Sequence, residues 1–338
     1  MLLLTELCDD ILLEILSYFR GDRSNLRSLA STNRRLNPLA TTILYRQVYL
    51  EFHWHQTTTE LTDSPEVELL QRTVTERTSL GRLILNLDLR WNKGGLNSPP
   101  PPSLYECINR LLRKLPSVRL FHFSFSGAVS VISRFRFDLL DAAFMSRLHE
   151  FSNSHDSSSL SNIAKLIQLK SIESISLSGS DEDIIIDTLP TALQAGPKSS
   201  LLRLELEFGI YIPAEVLHCL LSLTPGLKKL SCNIPGSKLQ PKSPHPPTVL
   251  SPGNLCQILE PIERTLTTLR LREGFNTNWS AHDGSRLDLS QFRALKHLTV
   301  IGKCFFAARG PSPSRSGLFQ LLPLHLETLR VSCLFTSM

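Results

Sequence analysis

The chain has 338 residues, is 41% hydrophobic and 20% charged, and carries a formal net charge of +5 at pH 7. These values are those of ordinary soluble globular proteins, they exclude disorder throughout, and the length accommodates two domains. The positive balance comes from dispersed Arg and Lys without a long run of like charges, so no nucleic acid is expected as a partner.

At the amino end, Leu7, Ile11, Leu12, Ile15, Leu16 and Phe19 recur at helical spacing, which predicts a helix over 8–19 with an apolar stripe wider than so small an element buries alone. Asp9 and Asp10 complement the positive end of its dipole, and Gly21 follows where the helix should stop. A second helix over 26–31 presents Leu26, Leu29 and Ala30, and a third over 33–45 presents Leu36, Leu39, Ala40, Ile43 and Leu44. Three short helices make a core that is marginal by itself, so a partner or an adjoining domain is implied.

The order Leu7, Ile11-Leu12, Ile15-Leu16, then LASTNRRLNPLA leading into ILYRQVYL, resembles the F-box of fungal proteins. The resemblance implies that Leu7, Cys8, Ile11, Leu12 and Ile15 dock onto the Skp adaptor and, through it, a cullin-RING ubiquitin ligase. The family places proline directly after the first leucine; this chain has Cys8 there. The F-box is expected over 1–50 and a helical linker over 51–79, where Val67, Leu69, Leu70 and Val74 mark one helix.

From Leu80 a template recurs, an apolar residue followed by two more three and five positions on. It starts at Leu80, Leu115, Ile172, Leu201, Leu227, Leu266, Leu295 and Leu326, with a weaker copy from Leu148 to Phe151. The last two positions are two apart, which is strand alternation, and the first belongs to the turn entering the strand. Helical patterns over 104–115, 160–167, 214–223, 255–262 and 318–322 lie between copies. Such alternation forces parallel strands with helices to one side. The segment 80–338 resembles the irregular leucine-rich repeats that often follow an F-box. That implies a mixed α/β fold in which a curved solenoid carries parallel strands on its concave face and helices outside. The polar Asn or Cys of the repeat consensus is missing: Ser180, Gly209, Pro235, Gly274 and Lys303 stand in its place. Copies recur every 24 to 39 residues, longer than tidy repeats of this kind.

Three loops are long and proline-rich, 97–103, 235–253 and 309–317. Ser243-Pro244, Ser251-Pro252 and Ser312-Pro313 within them are chemically plausible phosphorylation sites, although such dipeptides are common in any segment of this composition.

No glycine-rich nucleotide loop, nucleophile elbow or zinc-protease motif occurs in the sequence. His53-Trp54-His55 offers two imidazoles, too few for a metal site. Ser180-Asp181-Glu182-Asp183 reads as a helix start or a solvated turn, and His155-Asp156 lies in loop composition without a nucleophile. The seven cysteines are scattered without a CxxC pair, as free thiols of a reducing compartment are. Asn278-Trp279-Ser280 matches a glycosylation pattern, but the first residues lack a basic region and no apolar stretch is long enough to span a membrane, so the expected location is cytoplasmic or nuclear.

The expectation is therefore a non-enzymatic binding protein without cofactor or metal, a substrate receptor that holds a target protein while other subunits transfer ubiquitin. The alternative is a repeat scaffold outside any ligase. Arg82, Arg119, Arg203, Glu205, Lys229, Arg270, Arg272 and His297 alternate with the buried apolar positions and are the candidate target contacts.

Overall fold

In the computed structural model of the chain, the residues described are 7–54, 65–93, 102–126, 139–154, 160–178, 199–207, 212, 214–234, 251–272, 285–305 and 317–332. They divide into two compact units, one running to Leu148 and the other from His149. Both are α/β, and every strand pairing that follows is parallel.

The first unit opens with α1 (Asp9–Ser17), α2 (Arg23–Thr32) and α3 (Leu36–Arg46). Their core is Leu16, Leu26, Ala40 and Ile43, flanked by Leu13, Leu29, Ala30, Leu39 and Leu44. Asp22 caps α2 by accepting the Asn25 backbone N–H at 3.0 Å, and Asn37 Nδ2 ties α3 back to the Ala30 carbonyl at 2.7 Å. The chain then runs directly into β1 (Gln47–Trp54), so the domain boundary expected after residue 50 falls inside a strand. α4 (Pro65–Glu76) fills the expected linker helix and buries Val67, Leu70 and Val74, whereas Leu69 faces solvent. α5 (Thr78–Leu83), β2 (Asn86–Lys93), α6 (Pro102–Lys114), β3 (Leu120–Ser126) and α7 (Ala142–Met145) complete the unit. β2 lies between β1 and β3; Phe52 pairs with Trp91, and Leu87 and Leu89 pair with Phe121 and Phe123.

Two copies of the template are out of frame in this unit. Leu80 and Leu83 lie in α5, where three-residue spacing is one helical turn, and the strand frame starts four residues later, at Ile84, Leu87 and Leu89, all buried. Likewise the buried set around β3 is Val118, Phe121 and Phe123, three positions after the expected one.

In the second unit the frame holds. β4 (Glu150–Ser154), β5 (Ser174–Ser178), β6 (Arg203–Glu207), β7 (Lys229–Asn233), β8 (Thr268–Arg272), β9 (His297–Ile301) and β10 (Thr328–Ser332) pair in chain order. α8 (Leu160–Ile167), α9 (Ala214–Leu223) and α10 (Pro252–Leu259) connect them; short 3-10 turns at Glu260–Ile262 and Leu318–Leu321 stand where helix was expected. Ile175 and Leu177, Leu204 and Leu206, Leu230 and Cys232, Leu269 and Leu271, and Leu298 and Val300 fill the interior together with the apolar faces of the helices. Burial pushes the Cys232 thiol up to about 12, so it packs as a small apolar group. No disulfide joins the six described cysteines.

The strand entries share one main-chain arrangement. The carbonyl one residue before each strand accepts two N–H groups from the entry to the next strand: Glu173 and Ser174 donate to His149 at 2.8 and 3.1 Å, and Lys228 and Lys229 donate to Leu202 at 2.8 and 3.0 Å. The Glu173, Lys228, Thr267 and Lys296 carbonyls take two donors in the same way. In the first unit, the Leu85 carbonyl accepts from Arg119 and Leu120.

Gly81 permits the close approach of α5 to α6, since a Cβ there would stand 2.6 Å from the Lys114 carbonyl oxygen. Gly81→Ala should lower the melting temperature although alanine is the better helix former by about 1 kcal/mol. Gly226→Ala, which meets nothing within 4 Å, should leave it nearly unchanged. Thermal denaturation of the two variants checks the contrast.

Candidate protein-binding surfaces

α1 divides its apolar residues between two sides. Leu12 and Leu16 are buried at 0% and 2% exposure, whereas Ile11 is 48% exposed and Tyr18 82%. Cys8 is exposed and Ile15 half-buried on the same stripe, since positions 8, 11, 15 and 18 recur at three- and four-residue spacing. Of the five expected adaptor contacts, Leu7, Cys8, Ile11 and Ile15 thus retain accessible surface. Leu12 is a correction: it faces the interior of its own chain because it is four residues before Leu16. Tyr18 and the 36%-exposed Phe19 extend the open face beyond the residues the sequence singled out.

The sequence also gave no prominence to Arg35. Its guanidinium donates to the Leu7 carbonyl at 2.6 Å and to Asp9 Oδ1 at 2.8 and 3.0 Å, which pins the start of α1 against the start of α3. Both side chains are well exposed, so the pair orients more than it stabilises.

The second candidate surface is the polar side of the sheet. Arg203, Glu205, Lys229, Arg270, Arg272 and His297 all occupy that side in the second unit. Register sets them in rows across the strands. One row runs Ser174, Arg203, Lys229, Thr268, His297, Thr328, and the next runs Ser176, Glu205, Ser231, Arg270, Thr299, Arg330. Lys229 pairs with Glu205, and Arg272 Nη2 donates to Glu207 Oε1 at 2.8 Å in a partly buried pair. His297 Nδ1 lies 3.0 Å from Thr328 Oγ1. Arg82 and Arg119 are corrections to this set. Arg82 is in the last turn of α5, not on a strand, and Arg119 precedes β3 in the first unit.

On the polar side of the first unit, Tyr49, Asp88 and His122 share a row. Asp88 Oδ1 is buried without a hydrogen-bond partner among the described residues. Desolvation raises the Asp88 carboxyl above its ordinary value, opposed by the positive charges of His122 and Arg90.

Ser251 is another correction. It is 4% exposed and caps α10 by accepting the Asn254 N–H at 3.2 Å, with Pro252 in the first turn, so it is no accessible phosphorylation site. Ser243-Pro244, Ser312-Pro313, His55, His155-Asp156, Ser180 to Asp183 and Asn278 to Ser280 lie outside the described residues, as does most of each proline-rich loop. Among the described residues no group of three or more His, Cys, Asp or Glu is placed to hold a metal ion, and no helix is long and apolar enough to cross a membrane.

No protein-family model matches the chain, and no curated protein matches it.

Two outcomes follow. Leu12→Ala should cost about 2–5 kcal/mol of stability, as a fully buried leucine does, while Ile11→Ala should cost under about 1 kcal/mol; denaturant titration separates them. Because the folded Asp88 carboxyl binds its proton at higher pH than the unfolded one, its ionisation opposes folding. The penalty is complete above the raised value and vanishes below the ordinary carboxylate range. Asp88→Asn should therefore raise the melting temperature by about 1–3 °C at neutral pH and give no gain at strongly acid pH.

Proposed function

We propose that the chain is the substrate-recognition subunit of a Skp-cullin-F-box ubiquitin ligase. In this reading the three amino-terminal helices are the F-box that docks on the Skp adaptor, and the second unit is a leucine-rich-repeat-like solenoid whose strand face holds the target protein. The observation that carries the reading is the split of α1: Leu12 and Leu16 are buried, Leu16 in the bundle's own core, while Cys8, Ile11, Ile15 and Tyr18 leave an apolar stripe accessible. Exposed apolar residues grouped on one helix face, rather than scattered singly, mark an interaction surface, and an amphipathic helix face is a standard element for docking onto a helical partner. The residue order from Leu7 to Leu50 supplies the identity of that partner by its likeness to the F-box.

For the solenoid, support comes from strands that pair in chain order, each with its successor, and from a repeated strand-entry turn. Stacked units of this kind present an extended binding surface. The chain performs no chemistry itself in this reading. Holding a target beside a charged conjugating enzyme raises the effective concentration of its lysines, which needs neither acid, base nor metal from the receptor. The alternative, a repeat scaffold outside any ligase, predicts no adaptor binding.

Co-purification with a Skp adaptor tests the choice. Wild-type chain should retain the adaptor. Ile11→Asp with Tyr18→Asp should weaken binding at least about a hundredfold, since each buried apolar side chain contributes about 1.5–3 kcal/mol. A folded wild-type chain that fails to bind, or a double variant that binds equally well, favours the scaffold.

A further inference from the structure

The ion pairs of the second unit's polar sheet face leave a definite remainder. Lys229 is matched by Glu205 and Arg272 by Glu207. Arg203, Arg270 and Arg330 are exposed and make no ion pair among the described residues. Arg270 and Arg330 stand in one row with Thr299 between them, two strands and so about 10 Å apart at the backbone. The row therefore presents two guanidinium groups that make no ion pair among the described residues, each able to grip a carboxylate through two parallel N–H donors, with the Thr299 hydroxyl between them.

We infer that this row is a docking track for an extended acidic segment, one carrying Asp or Glu side chains two or three residues apart, on the protein the chain recognises. An extended chain advances about 3.3 Å per residue, so two such carboxylates reach Arg270 and Arg330 together. Arg203, in the row alongside, extends the positive field toward β6. Glu205 and Glu207 are spent on Lys229 and Arg272, so they leave that field standing. The same face argues against single-stranded nucleic acid, because the outward positions of β5 to β10 carry no Phe, Tyr or Trp on which bases could stack. The inference deepens the receptor reading by naming the chemistry of the target, and it rests on that reading only for where the segment comes from.

The full chain is titrated into a labelled Glu-rich peptide of about ten residues, long enough when extended to cross β5 to β10, and followed by fluorescence anisotropy. Wild type should bind, more weakly as salt rises, and a Lys-rich counterpart should not bind. Arg270→Glu with Arg330→Glu should weaken binding about a hundredfold, Arg270→Lys with Arg330→Lys about tenfold or less, and Arg293→Glu, off the row, not at all. These exposed positions should leave the melting temperature unchanged, so loss of binding does not report unfolding. No binding by wild type, equal loss in Arg293→Glu, or tighter binding of an oligonucleotide of equal charge overturns the proposal. So does binding that appears only after Asp181, Glu182 and Asp183 are neutralised, which assigns the row to the chain's own acidic stretch. Adaptor capture is measured on the same samples. Peptide binding without adaptor binding sinks the ligase reading and keeps the track, and the reverse result does the opposite.

Discussion

A backbone carbonyl that receives two N–H donors at every strand entry is the constraint on which the second unit depends. Each doubly bonded oxygen, from His149 to Lys296, fixes the angle at which the next strand joins its neighbour. That angle decides which residues of the strand turn inward. Slipping the entry by one residue would send Leu204 and Leu206 to solvent and bring Arg203 and Glu205 into the interior, because side chains alternate across a strand. The apolar contacts supply the free energy of folding and the carbonyls supply the register, so the polar rows on the opposite side follow without any side chain of their own to align them.

Much of that arrangement is legible in the amino-acid order. A leucine followed by two more at positions three and five later reads correctly as a strand entry wherever the intervening helix lies well away, as from Ile172 onward. It misleads in the first unit, where only two residues separate α5 from β2. There Leu80 and Leu83 are neighbours on a helix turn, and a pattern defined by a gap of three cannot tell a turn of helix from the approach to a strand. β1 was hidden for a related reason. Tyr49 and Leu50 continue the apolar rhythm of α3 without a glycine or proline to mark the change, and β1 becomes evident only through its pairing with β2. Arg82 was misplaced along with its template copy.

The amino-terminal helices show a different limit. The apolar residues at helical spacing between Leu7 and Phe19 announce that α1 has more than one apolar side, but periodicity alone does not say which residues its own bundle claims. Packing decides it: Leu16 meets Leu26, Ala40 and Ile43, and Leu12 lies one turn before it on the same side. Ile11 is left over as a consequence. Arg35 was illegible because its role depends on bringing together residues more than two dozen positions apart in the chain.

Since the strand entries are secured chiefly through main-chain atoms, with the Thr267 hydroxyl adding a third donor to the Lys228 carbonyl, no one residue type is demanded at His149, Glu173, Leu202, Lys228, Thr267 or Lys296, and those six positions hold five different residue types. The stretches between entries are equally unconstrained in extent, because lengthening a connection twofold costs only about 0.6 kcal/mol in closure entropy. An architecture joined in this way tolerates insertion and drift in its connections while the strands stay in step, so the loops can be rebuilt without redesigning the frame beneath them.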